Sequence, residues 1–201
     1  MKETALHATR STQRLVTIPM LAAVAFILQY LEFPVPMMPS FLKLDFSTLP
    51  SLIGGLMYGP MAGIIVEVLK NALHMLFKNT DGLLIGELAN VAAGASFIVA
   101  AVAMQRVSQG KKGFLTGLAL GTLLMSVVMA LANAFFLLPA YAAISHMPMD
   151  QLLATLGADS VWSLILYGIV PFNMFKGAML SLVAYPVYVK LATRLSPRAT
   201  N

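Results

Sequence analysis

Cysteine is absent from the 201 residues, so the chain holds no disulfide framework, no thiolate nucleophile and no cysteine metal site. Charge is scarce as well. Asp, Glu, Lys and Arg make up 10% of the residues, against about a quarter in a soluble domain. So few charges cannot cover a water-exposed surface, which excludes soluble-domain readings. Catalytic signatures are also missing. There is no GxxxxGKS or GxxxxGKT of an ATP-binding P-loop, no HExxH and no GxSxG nucleophile elbow. No pair of aspartates recurs on a helix in the way a metal-dependent membrane lipid transferase requires. An enzyme reading has no chemical nucleus here, and no resident cofactor or metal is expected.

What the chain does have is apolar length: 59% of its residues are hydrophobic. A helix needs about 20 apolar residues to cross the hydrocarbon core. Residues 15–31, 83–104, 113–138 and 161–191 supply such runs, and 47–77 supplies one long helix or two short ones split at Gly59-Pro60. The first run is not followed by a small-residue cleavage site and is read as a retained helix rather than a signal peptide. Cytoplasmic loops collect Lys and Arg. With Lys2, Arg10 and Arg14 inside, splitting 47–77 puts Arg106, Lys111 and Lys112 inside too. Keeping the last run whole does the same for Lys190, Arg194 and Arg198. Of the 13 basic residues, all but Lys43, Lys70, Lys78 and Lys176 are then cytoplasmic. Glu32, Asp45, Asp81, Asp150 and Asp159 fall in outer segments. The net charge of +5 therefore records topology and not a nucleic-acid surface.

The expected architecture is all-α. It is a single transmembrane domain over 1–201 with six crossings, at about 14–33, 47–58, 60–78, 83–105, 113–138 and 161–193, and both termini in the cytoplasm. The longest outer loop is expected at about 139–160. The second crossing is short, and short segments at membrane depth must be sheltered by protein and tend to mark substrate sites.

Ionisable groups inside a membrane are costly and face a cavity or a partner. In GIIVEVLKNALHMLF, the residues Glu67, Lys70, Asn71 and His74 share one helix face. They serve as an internal ion pair, Glu67 with Lys70 or His74, or as a cavity lining. No other histidine stands at ligand spacing from His74. Glu87 and Asn90 lie three apart on the next helix, where interhelical hydrogen bonding is the favoured role. Asn133 sits near the outer end of the fifth helix. In PFNMFKG, Asn173 and Lys176 are one turn apart, with Pro171 freeing a carbonyl nearby. An amide and an ammonium in one turn aim several donors at one spot, so a ligand role is favoured for this pair. Trp162, the only tryptophan, is expected at the outer start of the last helix, near that site.

The first outer loop, 34–46, lies in FPVPMMPSFLKLDFSTLPSLIGG. Asp45 or Ser47 is a candidate cap for the helix that follows. Capping leaves Met37, Met38, Phe41, Leu42, Leu44 and Phe46 unexplained. So apolar a loop either forms a lid over a pocket or lies in the membrane interface. Gly54, Gly55, Gly59 and Gly63 permit close helix approach.

The stretch FLKLDFSTLPSLIGGLMYGPMAGIIVEVLKNALHMLF resembles the second-to-third helix region of the substrate-binding S components of energy-coupling factor (ECF) vitamin transporters. LANAFFLLPAY and PFNMFKG resemble the riboflavin-binding members. The likeness runs from about Arg14 to Arg194. It implies a six-helix S component in the bacterial cytoplasmic membrane, with the vitamin held near the outer face under the first outer loop. Asn133, Asn173 and Lys176 would hydrogen-bond the flavin's polar ring edge, and Leu44, Asp45 and Phe46 would belong to the lid. A small-residue surface on the first helix, here Pro19 and Ala23 with Ala22 and Ala25 beside them, would dock the coupling protein. Energy would come from that transmembrane coupling protein and two ATPases. The lid would capture riboflavin outside, and the loaded subunit would reorient in the membrane to release it inside. Two other readings stand beside this one: an S component for another vitamin, and a stand-alone ion-coupled carrier working on Glu67 or Glu87.

Overall fold

The computed structural model describes residues 2–36, 38–39, 41–78 and 84–195. Met37, Asp81 and Arg198, invoked above, lie outside these residues, as do the side chains of Lys2, His7, Arg10 and Arg194. The described chain is helical apart from one short hairpin. Helix α1 (Lys2–Tyr30) leads into β1 (Phe33–Pro34), which pairs antiparallel with β2 (Lys43–Leu44). Pro34 has no N–H to donate, which suits this minimal ladder. Then come α2 (Thr48–Tyr58), α3 (Pro60–Phe77), α4 (Ile85–Val107) and α5 (Gly110–Ala132). A π-helical turn (Asn133–Leu137) carries α5 on into α6 (Leu138–Ile144). Helices α7 (Met149–Thr155) and α8 (Val161–Leu164) follow, and a second π turn (Ile165–Ile169) feeds α9 (Val170–Leu195).

Five helical stretches are long and apolar enough to cross a membrane: Thr12–Tyr30, Pro60–Phe77, Ile85–Val107, Gly110–Ile144 and Val161–Lys190. Helix α2 has only 11 residues, about 16 Å at 1.5 Å per residue, roughly half the hydrocarbon thickness. It is correspondingly sheltered, with Thr48, Pro50, Ser51, Leu52, Gly54 and Gly55 buried.

Lipid gives apolar helices no reason to cluster, so close packing and polar bonds must hold the bundle together. Glycine supplies the closeness. A Cβ on Gly63 would lie 2.7 Å from the Ser51 carbonyl and 3.2 Å from the Cα of Gly55, so α2 and α3 touch backbone to backbone. At Gly117 and Gly121 it would lie 2.6 Å and 2.8 Å from the carbonyls of Ala101 and Phe97, which brings α5 equally close to α4. Gly59 joins α2 to α3 at φ 106°, a conformation open to glycine, and Pro60 then starts α3 with its fixed φ. The main core runs through Phe97, Ile98 and Val102 of α4 and Phe114, Leu118 and Met125 of α5.

Three expectations change. Ser47 precedes α2 in helical conformation and makes no side-chain cap bond, because its hydroxyl is committed to Asp45. The stretch 139–160 is largely helical: α6 prolongs α5, and α7 buries Leu152 and Leu153 before Gly157 (φ 70°) ends it. On α1, Pro19 and Ala23 are exposed, but Ala22 and Ala25 are buried against Val66 of α3. Helical phase decides this, since neighbours in sequence are about 100° apart around the axis. Ala22 therefore belongs to an internal seam and not to an outward docking face.

Candidate functional site

A cavity of about 320 Å³ lies among the hairpin loop and α1, α3, α4, α5 with its π turn, α6, α7 and α9. That volume is at the small end of the range for small-molecule sites. Phe41, Leu42, Met129, Leu137, Leu152 and Phe172 give it apolar walls, and two groups of polar side chains face it.

The first group forms around Lys176. Its Nζ donates to Asp45 Oδ2 at 2.9 Å and to Asn90 Oδ1 at 3.3 Å. An ammonium carries three donors, so one remains beyond these two bonds. Asn133 and Asn173 stand one on each π-disturbed helix. The Nδ2 of Asn133 donates to the Met129 carbonyl and that of Asn173 to the Ile169 carbonyl, each at 2.8 Å. A carbonyl accepts only from the amide nitrogen, so each Oδ1 is left as an acceptor without a protein partner among the described residues. Pro171 has no N–H, and π turns commonly interrupt helices at functional sites. Here one such turn directly precedes the Asn173–Lys176 segment and the other begins at Asn133.

Asp45 extends this group inward. Its Oδ1 accepts from Ser47, from the backbone N–H at 2.8 Å and from the hydroxyl. Ser47 Oγ accepts from Lys70 at 2.5 Å, and Lys70 pairs with Glu67 at 2.8 Å. Burial alone would push the Asp45 carboxyl up. The ammonium groups of Lys176 and Lys70 outweigh that and hold it well below the usual carboxylate range. Glu67 and Lys70 are fully buried and do not line the cavity, so their role is the internal ion pair. Asn71 also stays outside the cavity. It accepts from Gln29 at 2.9 Å and donates to the Glu67 carbonyl at 2.8 Å.

The second group comprises Gln29, Glu32, Lys43, His74 and Glu87. His74 Nδ1 is 3.2 Å from Glu87, and its Nε2 is 3.6 Å from Glu32. Glu32 also pairs with Lys43 at 3.2 Å and lies 3.6 Å from Lys78. Burial would raise the pKa of Glu32, but His74 and Lys43 lower it on balance.

The structure thus brings Asp45, Asn133, Asn173 and Lys176 to one cavity, together with His74, Glu87 and Asn90. It does not bring Leu44 or Phe46 there. Lys43 and Asp45 line the cavity, while Leu44 is buried away from it and Phe46 packs on the main core. Trp162 is 58% exposed and off the cavity. Sequence reasoning missed Gln29 and the α7 leucines. Gln29 carries a usable signal, a lone amide at the end of an apolar helix. The leucines of α7 do not, because nothing local says which loop folds back.

Residues 13–188 match the family "ECF transporter, substrate-specific component". The chain is 41% identical over 186 residues to the riboflavin transporter RibU of Staphylococcus aureus (strain TCH60), covering 92% of this chain and 94% of that protein. To the riboflavin transporter FmnP of Bacillus subtilis (strain 168) it is 37% identical over 180 residues, with 89% and 92% covered. A solved structure described as the S component of a bacterial ECF transporter superposes with a TM-score of 0.76 at 39% identity, over 93% of this chain and 99% of that one. With the family matched over most of the chain and its relatives covered almost end to end, this protein belongs to the substrate-specific components of ECF transporters, and is a transporter subunit rather than an enzyme.

Proposed function

We propose that this chain binds riboflavin at the outer face of a bacterial cytoplasmic membrane and delivers it to a separate coupling protein with two ATPases. The observation that carries this reading is the convergence of Asn133, Asn173 and Lys176, from distant parts of the chain, on one apolar cavity. A flavin's ring edge alternates carbonyl acceptors with an N–H donor. The free donor of Lys176 and the second N–H of each asparagine amide match the carbonyls, and an asparagine Oδ1 matches the N–H, so the three side chains complement that edge. The apolar walls cover the ring faces, at about 25 cal/mol per Å² removed from water. The names of the S. aureus and B. subtilis relatives support the same ligand. An ion-coupled carrier has little to work with, since Glu67 is closed into its pair with Lys70 and Glu87 contacts His74.

In this reading α2 and α3 are the second and third of six crossings, both termini are cytoplasmic, and loop 34–46 is the lid. Arg106 supports the topology: it lies beside Gly59, at the bundle end that also carries Lys111 and Lys112, whereas Glu32, Lys43 and Lys78 gather at the other. On α1, Pro19 and Ala23 remain exposed for the coupling protein. The test is riboflavin titration of the detergent-purified protein, read by the flavin's own fluorescence because Trp162 lies off the cavity. Saturable binding at nanomolar to low micromolar riboflavin is expected, with a loss of tenfold or more in Lys176→Ala. No binding by the wild type would move the assignment to another vitamin.

A further inference from the structure

The two ends of the bundle handle charge differently. Around the hairpin loop, cations and carboxylates pair: Glu32 with Lys43 and Lys78, and Glu87 with His74. At the opposite end cations predominate. Of the eight Asp and Glu in the sequence only Glu3 falls on that side, against nine of the thirteen Lys and Arg. Two of the nine are held in place. The Arg14 guanidinium of α1 lies over the Tyr58 ring, 5.5 Å from its centroid, and the Tyr58 hydroxyl donates to Thr17 at 3.2 Å. The Arg106 guanidinium of α4 covers Gly59, where an added Cβ would stand 2.7 Å from its Nη2. Arg14 and Arg106 thus flank one turn, the junction of α2 and α3 at Tyr58 and Gly59. Both are exposed, and neither forms an ion pair among the described residues. A guanidinium carries five N–H donors, and neither a ring face nor a glycine takes them up as a carboxylate would.

The depth of this turn follows from α3. Its 18 residues rise about 27 Å, close to the roughly 30 Å of hydrocarbon in a bilayer. With Lys78 at one boundary, Gly59 stands at the other, at the level of phospholipid phosphates. Beside the cations in sequence are exposed apolar side chains, Leu15, Met57, Met61 and Val107, which suit acyl chains. Cations at phosphate depth with apolar surface next to them match both halves of a phospholipid, whereas a soluble anion would use the cations alone.

We propose that Arg14 and Arg106 hold the phosphate of an anionic phospholipid at the α2–α3 junction. Guanidinium groups match phosphate geometry. In the orientation argued above, this end lies in the cytoplasmic leaflet, where anionic lipid is concentrated. Lys111 and Lys112 nearby favour a headgroup of net negative charge over a zwitterionic one, whose own ammonium they repel. One phosphate shared by the two arginines ties α1 to α4 across the turn, at an end poor in carboxylates. The site is separate from the cavity and does not depend on which vitamin fills it.

The test titrates phosphatidylglycerol, phosphatidylcholine and inorganic phosphate separately into the full chain in detergent and follows the melting temperature, which rises with any ligand that binds the folded state. Phosphatidylglycerol is expected to raise it saturably, at a concentration at least fivefold below that needed for phosphatidylcholine, and phosphate at the same concentration to leave it unchanged. The half-saturating phosphatidylglycerol concentration should rise about fivefold in Arg14→Gln and in Arg106→Gln, and about thirtyfold when both are changed. Changing Lys111 and Lys112 together to Gln should matter less than the arginine pair. Equal responses to the two lipids, or equal losses for the lysine and arginine pairs, would overturn the site. Phosphate alone reproducing the shift would make it a free-anion site instead. If lipid binding is untouched in both arginine variants while the coupling protein no longer co-purifies with them, the patch serves a protein partner and the lipid site is wrong. The melting temperature without lipid checks folding, and the single substitutions on different helices keep the test decisive should one variant not fold.

Discussion

Asp45 ties more of the site together than any other side chain. Its two oxygens hold Lys176 of α9 and Ser47 at the head of α2, and through Ser47 it reaches Lys70 of α3. A buried charge is tolerable only when paired and bonded, and here each ammonium has its carboxylate, Lys176 with Asp45 and Lys70 with Glu67. Stability therefore depends on pH. The folded Asp45 carboxyl titrates below its ordinary value of 3.8. The stabilisation it contributes is fully present above 3.8 and is lost as pH falls below that value toward the depressed folded one. Melting temperatures of the ligand-free protein in detergent should fall through this acidic window. Asp45→Asn should flatten that fall and cost about 3–5 kcal/mol at neutral pH, as expected when one partner of a buried ion pair is removed.

At the scale of elements, the contacts that set the bundle are made by absent side chains. Helix α2 is too short to bury much area, so it gains its place by lying against α3 at Gly55 and Gly63. A Cβ on Gly63 would stand 2.7 Å from a backbone carbonyl and 2.8 Å from Ile98 Cγ2. Gly63→Ala should accordingly destabilise by about 1–3 kcal/mol through forced separation of the helices. Gly86, in the first turn of α4, has open space around it: a methyl group there would meet nothing within 4 Å. Gly86→Ala should be neutral or stabilise by about 0.5–1 kcal/mol, because alanine gives up less chain entropy in a helix. Thermal unfolding of the two variants in the same detergent checks the sign as well as the size.

For the whole molecule, charge is sorted by end. Arg106, Lys111 and Lys112 gather where α4 turns into α5, while Glu32, Lys43 and Lys78 gather around the mouth of the hairpin loop. The absence of cysteine makes the resulting topology easy to test. A cysteine at Gln109 should react with a membrane-impermeant thiol reagent only after the cells are opened, and one at Asp159 should react in intact cells. The reverse pattern would invert the protein in the membrane.

Much of this was legible along the chain. Apolar run lengths reveal the long helices, because the bilayer sets a minimum span, and the i, i+3, i+4 spacing of Glu67, Lys70, Asn71 and His74 shows one polar face before any packing is known. Asn133, Asn173 and Lys176 stand out as polar groups in lipid-length helices, where their presence needs a partner. Local sequence carries no information about partners across the fold. That Glu67 closes on Lys70 while His74 joins a second cluster with Glu32 and Glu87, that Asp45 faces the cavity while Leu44 and Phe46 turn away, and that α7 folds back to wall the site all depend on how the helices are placed in three dimensions. The sequence alone determined which groups are too polar for lipid; the packing of distant helices decided which of them meet each other and which are left to meet a ligand.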